Sequence, residues 1–164
     1  MNAAAGRPVP ATPELPAHSS HPLRAEECWD LLGEALVGRL AVIGADGGPD
    51  IFPVNALVHE RRIYFRSGGG TKMRQVAADG RVAFETDGFD PPWRWSVVIR
   101  GTARRLDRDD EIEASGVLGL ATLSPAPKND FCVVTPIQVS GRRFRTDFPE
   151  PAERSEVYGR GSDL

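Results

Sequence analysis

The sequence predicts a mostly β protein built as a closed or half-closed antiparallel barrel, a split β-barrel with a few short helices. Three observations carry this. Six or seven short apolar-alternating runs follow one another between Arg39 and Phe144. Turn residues such as Asp46-Gly47-Gly48-Pro49 and Asp79-Gly80 separate them. Most connections are too short for the crossovers that parallel strands need. With 164 residues the chain has room for one domain and its tails.

The pattern divides the chain into three parts. Residues 1–22 are rich in Ala and Pro and hold too little apolar surface to order themselves, so a disordered arm is expected. Residues 23–148 form the barrel domain, and residues 149–164 a loose polar tail. The domain opens with an amphipathic helix over Leu23–Leu36 whose buried face is Cys28, Leu31, Leu32, Ala35 and Leu36, ended by Gly38. Strands follow at Leu40–Ile43, Asp50–Val58, Arg62–Arg66, Arg81–Thr86 and Trp93–Leu106. A helix over Asp107–Gly119, capped by Asp107, leads to the remaining strand sequence, the stretches Phe131–Val134, Ile137–Val139 and Arg142–Phe144.

Composition narrows the function. Net charge is −3 and the pI about 5.6, which argues against a general nucleic-acid or membrane-surface binder. Cys28 and Cys132 stand far apart with no histidine pair nearby, so reduced thiols in a cytoplasmic protein are expected and no metal site is.

Chemistry concentrates in Ile63–Met73, IYFRSGGGTKM. A strand breaks into Ser67-Gly68-Gly69-Gly70, and Thr71-Lys72 opens a short helix running to about Ala78. Glycines let backbone N–H groups approach a ligand, and a helix start favours negative charge. Arg66 suits bidentate contact with phosphate oxygens, and Lys72 acts as a point charge. The loop is not a Walker A motif: Thr71 precedes Lys72 where glycine is required, and Met73 replaces the magnesium-binding hydroxyl. A compact phosphorylated cofactor fits better than a hydrolysed nucleotide. In the strand before it, Pro53 demands an edge, a bulge or an open backbone stretch, and Asn55 can donate and accept toward a heterocycle. Trp95 can be core, or stack on a ring or a partner subunit. No Ser-His-Asp arrangement is evident, and no catalytic side chain is singled out; His59 reads as structural or exposed.

These stretches together (EECWDLL, GRLAV, GPDIFPVN, IYFRSGGGTK, VAFETDGFD and WSVVIRGTARRL) resemble the pyridoxamine 5'-phosphate oxidase-like, FMN-binding split β-barrel family, over about Ala25–Leu106. The resemblance implies a homodimer with FMN at the subunit interface. It implies that Phe52, Pro53, Val54 and Asn55 contact the flavin ring, that Arg66, Ser67, Thr71 and Lys72 hold the phosphate, and that Trp95 and Ser96 lie where a later strand meets the flavin. The chain departs from the oxidase proper at Asp50 and Asn55, where that enzyme has arginine and lysine, and no C-terminal arginine/histidine set for pyridoxal phosphate is matched. This argues against pyridoxamine-phosphate oxidation itself. The expected function is a flavin-dependent oxidoreductase acting on a small molecule. The alternatives are a deazaflavin (F420) reductase and a non-catalytic flavin-binding or stress-related protein.

Overall fold

The computed structural model describes residues 20–121 and 127–145. The elements in chain order are β1 (Ser20–Pro22), α1 (Ala25–Glu34), β2 (Val37–Ile43), β3 (Pro49–His59), β4 (Arg62–Ser67), α2 (Thr71–Ala78), β5 (Arg81–Asp90), β6 (Trp93–Arg105), α3 (Asp109–Ser115), a 3-10 turn (Val117–Gly119) and β7 (Asp130–Arg145). All strand pairings are antiparallel. The order is β1-β7-β4-β3-β2-β5-β6, and β6 also pairs with β7, which closes six strands into a barrel.

Alternation along the strands fills the barrel. Leu40 and Val42 of β2, Ile63 and Phe65 of β4, Phe84 of β5, and Val97 and Ile99 of β6 are all buried in one cluster. Helix α1 adds Cys28 and Leu32 to this core, and α2 adds Val76. A second, smaller cluster lies on the outer face of β4. There Tyr64 and Val133 are covered by Leu106 and Val117, which explains why β4 is buried on both faces. Cys28 and Cys132 are both free and buried. No helix among the described residues is long and apolar enough to cross a membrane.

Several boundaries differ from the sequence reading for local reasons. Helix α1 stops at Glu34, and Ala35 is already extended, so Leu36 leaves the helix's buried face and is 79% exposed. Gly38 does not end that helix; it is the second residue of β2, and the Phe84 ring lies over it. Ser20–Pro22, expected within the arm, pair with Arg142–Phe144 of β7; residues 1–19 and 146–164 lie outside the described residues, and with them the rest of the expected arm and the whole expected tail. The three short C-terminal stretches belong to one continuous 16-residue strand. Pro136 is accommodated by a register shift opposite Arg100/Gly101, and a Cβ at Gly101 would sit 2.2 Å from the Thr135 carbonyl oxygen, so only glycine permits this approach. Helix α3 starts at Asp109 after Arg108, not at an Asp107 cap, and ends early because Gly116 turns left-handed at φ 74°.

The close approach at Gly38 gives a test. A Cβ there would lie 2.1 Å from the buried Phe84 ring, where β2 pairs with β3 through Gly38↔Val54 and begins to pair with β5 at the next residue, Arg39. Gly38→Ala should lower stability by about 1–3 kcal/mol, the usual cost of overpacking, measured as a reduced urea midpoint at unchanged m-value.

Candidate functional site

The β3–β4 ladder covers only Ala56–His59 and Arg62–Phe65. Residues 49–55 of β3 pair with β2 alone, so the other edge of this stretch has no strand neighbour among the described residues. Pro53 sits there, where a missing N–H is tolerated. The same opening admits α2. Its Gln75 side-chain amide donates to the Asp50 carboxylate, and its Lys72 ammonium lies 5.7 Å from the centre of the Phe52 ring.

The turn from β4 into α2 needs its glycines. Gly69 and Gly70 take φ values of 78° and 87°, which side chains rarely adopt. Gly70 is the residue before the helix, so no side chain caps this end. The first turn of α2 also holds no acidic residue, whereas α1 begins with Glu26 and Glu27 and α3 with Asp109, Asp110 and Glu111. No residue of α2 itself compensates its positive end.

Lys72 stands at that end. Its ammonium is 5.4 Å from the centre of the Phe65 ring as well as near Phe52. It makes no ion pair with a carboxylate among the described residues. Loss of solvent pushes its pKa below the ordinary lysine value, and the charge of Lys128 pushes it the same way. Lys72 is thus a half-buried cation beside a second cation and an open helix start.

The other phosphate candidates divide. Ser67 is brought to the turn but is 3% exposed. The Thr71 hydroxyl accepts from Arg74 at 3.0 Å. Arg66 does not face the glycine turn. Its Nε and Nη2 donate to the Lys128 carbonyl at 3.1 and 2.9 Å, its Nη1 donates to the Leu120 carbonyl at 3.4 Å, and its guanidinium lies over Phe131. Arg66 therefore anchors the segment leading into β7. That segment closes on the turn: a Cβ at Gly68 would meet the Pro127 carbonyl at 2.9 Å, and one at Gly69 would meet the Asp130 carboxylate at 3.3 Å. Lys128, which the sequence reading did not include, joins the site this way. Its signal was available, since Lys72 and Lys128 are the only two lysines in an arginine-rich chain.

On β3, Phe52 packs against the core beneath Lys72, and Val54 is a buried core residue. Pro53 and Asn55 occupy the alternate face; the Asn55 amide donates to the Leu36 carbonyl at 3.3 Å. Trp95 and Ser96 are not brought to Lys72. Helix α2 packs near Ala103 at the far end of β6, eight residues or roughly 26 Å of strand from Trp95. Trp95 instead lines a cavity of about 590 Å³ with Leu31, Leu36, Phe89, Asp90 and Arg143, while Ser96 opens to a separate one of about 260 Å³. Gly88 makes room for the Trp95 ring, since a Cβ there would sit 2.2 Å from it.

Fold and site together define a split β-barrel protein with a cationic glycine turn beside an open strand edge. The profile of the pyridoxamine 5'-phosphate oxidase family matches residues 24–143, and the chain belongs to that family. A solved structure from Corynebacterium glutamicum superposes with a TM-score of 0.70 at 31% identity, covering 79% of this chain and 96% of that one. The FAD-binding protein of Mycobacterium smegmatis gives a TM-score of 0.64 at 35% identity, covering 76% and 98%. A 5a,11a-dehydrotetracycline/5a,11a-dehydrooxytetracycline reductase of Streptomyces rimosus is 43% identical over 77 residues, which is 42% of this chain and 54% of that protein.

Arg66 and Lys72 should respond differently to removal. Arg66→Ala deletes bonds to two backbone carbonyls and should cost about 1–3 kcal/mol of stability. Lys72→Met removes a desolvated charge but keeps the aliphatic stem, so the unliganded protein should melt no lower than the parent. Thermal melts of both variants check this. Cys132, whose thiol burial pushes up to about 12, should resist alkylation at neutral pH until the chain unfolds.

Proposed function

We propose that the barrel holds a flavin by the phosphate of its FMN unit, at the start of α2, and works as a flavin-dependent oxidoreductase on a small molecule. The observation that carries this reading is Lys72: a half-buried ammonium with no carboxylate, at an uncapped helix start, beside Lys128. A phosphate monoester brings ~1.5 to 2 negative charges and three acceptor oxygens to Lys72, which has no carboxylate partner among the described residues; the Asp130 carboxylate beside the turn is paired with Arg105. The FAD-binding Mycobacterium smegmatis structure supports a flavin.

In this reading Lys72 and Lys128 pair with the phosphate, and the N–H groups after Gly70 donate to it. Arg66 positions Lys128 by holding its carbonyl. The open edge of residues 49–55 lets a flat ring approach the backbone next to Phe52 and Asn55. The flavin supplies the electron transfer when bound, so the chain's own work is to bind, orient and shield. The Streptomyces rimosus reductase favours reduction of an organic substrate as the direction of chemistry.

The active unit is a homodimer. Trp95 and Ser96 stand at the opposite end of β6 from α2, so a second copy would have to bring them to a shared cofactor. Leu36, Val37, Ile51 and Phe89 are exposed apolar side chains that such a copy would cover.

Titration with FMN and riboflavin tests the phosphate claim. Charge-assisted hydrogen bonds contribute roughly 1.5–3 kcal/mol each, so Lys72→Ala should weaken FMN at least about tenfold and leave riboflavin nearly unchanged. Equal losses for both ligands would assign the lysine to loop support. The mass of the cofactor released from the purified protein separates FMN from deazaflavin, and NAD(P)H oxidation separates an enzyme from a binder. Sedimentation should give twice the 17.8 kDa chain mass; a monomer that binds flavin with full affinity would rule out the shared site.

A further inference from the structure

On the far side of the glycine turn, α2 and the end of β6 enclose a cavity of about 530 Å³. That is within the ~300–1,000 Å³ of ordinary cofactor sites. Its floor is apolar, made by Met73, Val76 and Ala77 of α2 and Ala103 of β6. Its rim is cationic, with Arg74, Arg104 and Arg105. Gly70, the residue before α2, lines it as well, so the cavity begins where the proposed phosphate site ends.

The three arginines are not equivalent. Arg104 pairs with Glu111, and Arg105 pairs with Asp130 and Asp107. Arg74 donates to the Thr71 hydroxyl and has no carboxylate partner among the described residues. It is the cation left for a ligand, one helical turn from Gly70. A second phosphate next to the first would meet Arg74, and a flat ring beyond it would cover the apolar floor. A chain of carboxylates or a bare phosphate would use the charge and waste the floor.

We infer that this cavity takes the adenosine monophosphate half of a flavin dinucleotide, so that the site prefers FAD to FMN. The inference rests on the flavin reading above and adds the part of the cofactor that lies past its first phosphate. Arg74 binds the second phosphate. Ala77 and Ala103 are small because the purine ring occupies the space above them.

Flavin-fluorescence titrations of the parent, Ala77→Phe and Arg74→Ala with FMN and FAD test it. The parent should bind FAD about tenfold tighter than FMN or more, a difference of about 1.4 kcal/mol. Ala77 is exposed, so a phenylalanine there fills the cavity from the surface of α2. Both variants should lose the preference for FAD and keep the FMN affinity of the parent, which also shows that they are folded. Equal affinities for the two flavins on the parent, or a preference that survives both substitutions, would overturn the inference while leaving the phosphate site standing. A loss of FMN affinity equal to that of FAD would make the cavity wall a support for the turn and would likewise overturn it. Failure of the parent to bind either flavin would remove the flavin reading and this inference with it.

Discussion

The barrel depends on the ladder between β6 and β7. It runs from Trp93↔Arg145 to Arg105↔Cys132 and joins the last strand to the one at the far edge of the sheet. Without it the six strands would be an open sheet with two bare edges. The ladder survives Pro136 because Gly101 lets the Thr135 backbone come close and the register shifts there. Everything at the candidate site follows from this closure. β7 leaves the barrel rim at Asp130, so the segment from Pro127 is laid against the glycine turn. Arg66, on the neighbouring strand, then finds the Lys128 carbonyl within reach.

The second constraint is electrostatic, and it opposes stability. Lys72 is pushed toward its neutral form by loss of water and by Lys128. Its folded pKa lies below the unfolded value of 10.5, so between the two the unfolded chain binds more protons and stability rises with pH. Below that window the half-buried ammonium costs the native state stability. A cation kept at such a cost, at a helix end with no side-chain cap and no acidic residue in its own first turn, with the nearby Asp130 already paired to Arg105, is the mark of a site that gains its counter-charge from a ligand. The Phe52 and Phe65 rings recover part of the cost through their π faces.

What the sequence made legible was local. The break from strand period to glycines to helix placed α2 at Thr71–Ala78, where the structure has it. A proline within a strong strand pointed to an interrupted ladder, and the unpaired edge of residues 49–55 is that interruption. What stayed hidden depends on partners distant in sequence. Arg66 reads as a phosphate ligand by its neighbours, but its acceptors are carbonyls 54 and 62 residues away. Lys128 enters through the same contact. Leu36 fits a helical face by period, yet the backbone turns extended at Ala35 and carries it into solvent. Trp95 and Lys72 share a family pattern, but one chain places them at opposite ends of β6.

With only Lys72 and Lys128 in the chain, isotope-labelled lysine gives two side-chain resonances, and the pH titration of each can be followed directly. The account predicts that the Lys72 resonance titrates below 10.5 in the unliganded protein, and that saturating FMN moves that titration upward while riboflavin does not. A Lys72 pKa that is the same with and without FMN would show that its ammonium does not meet the phosphate, and would contradict the account at its centre.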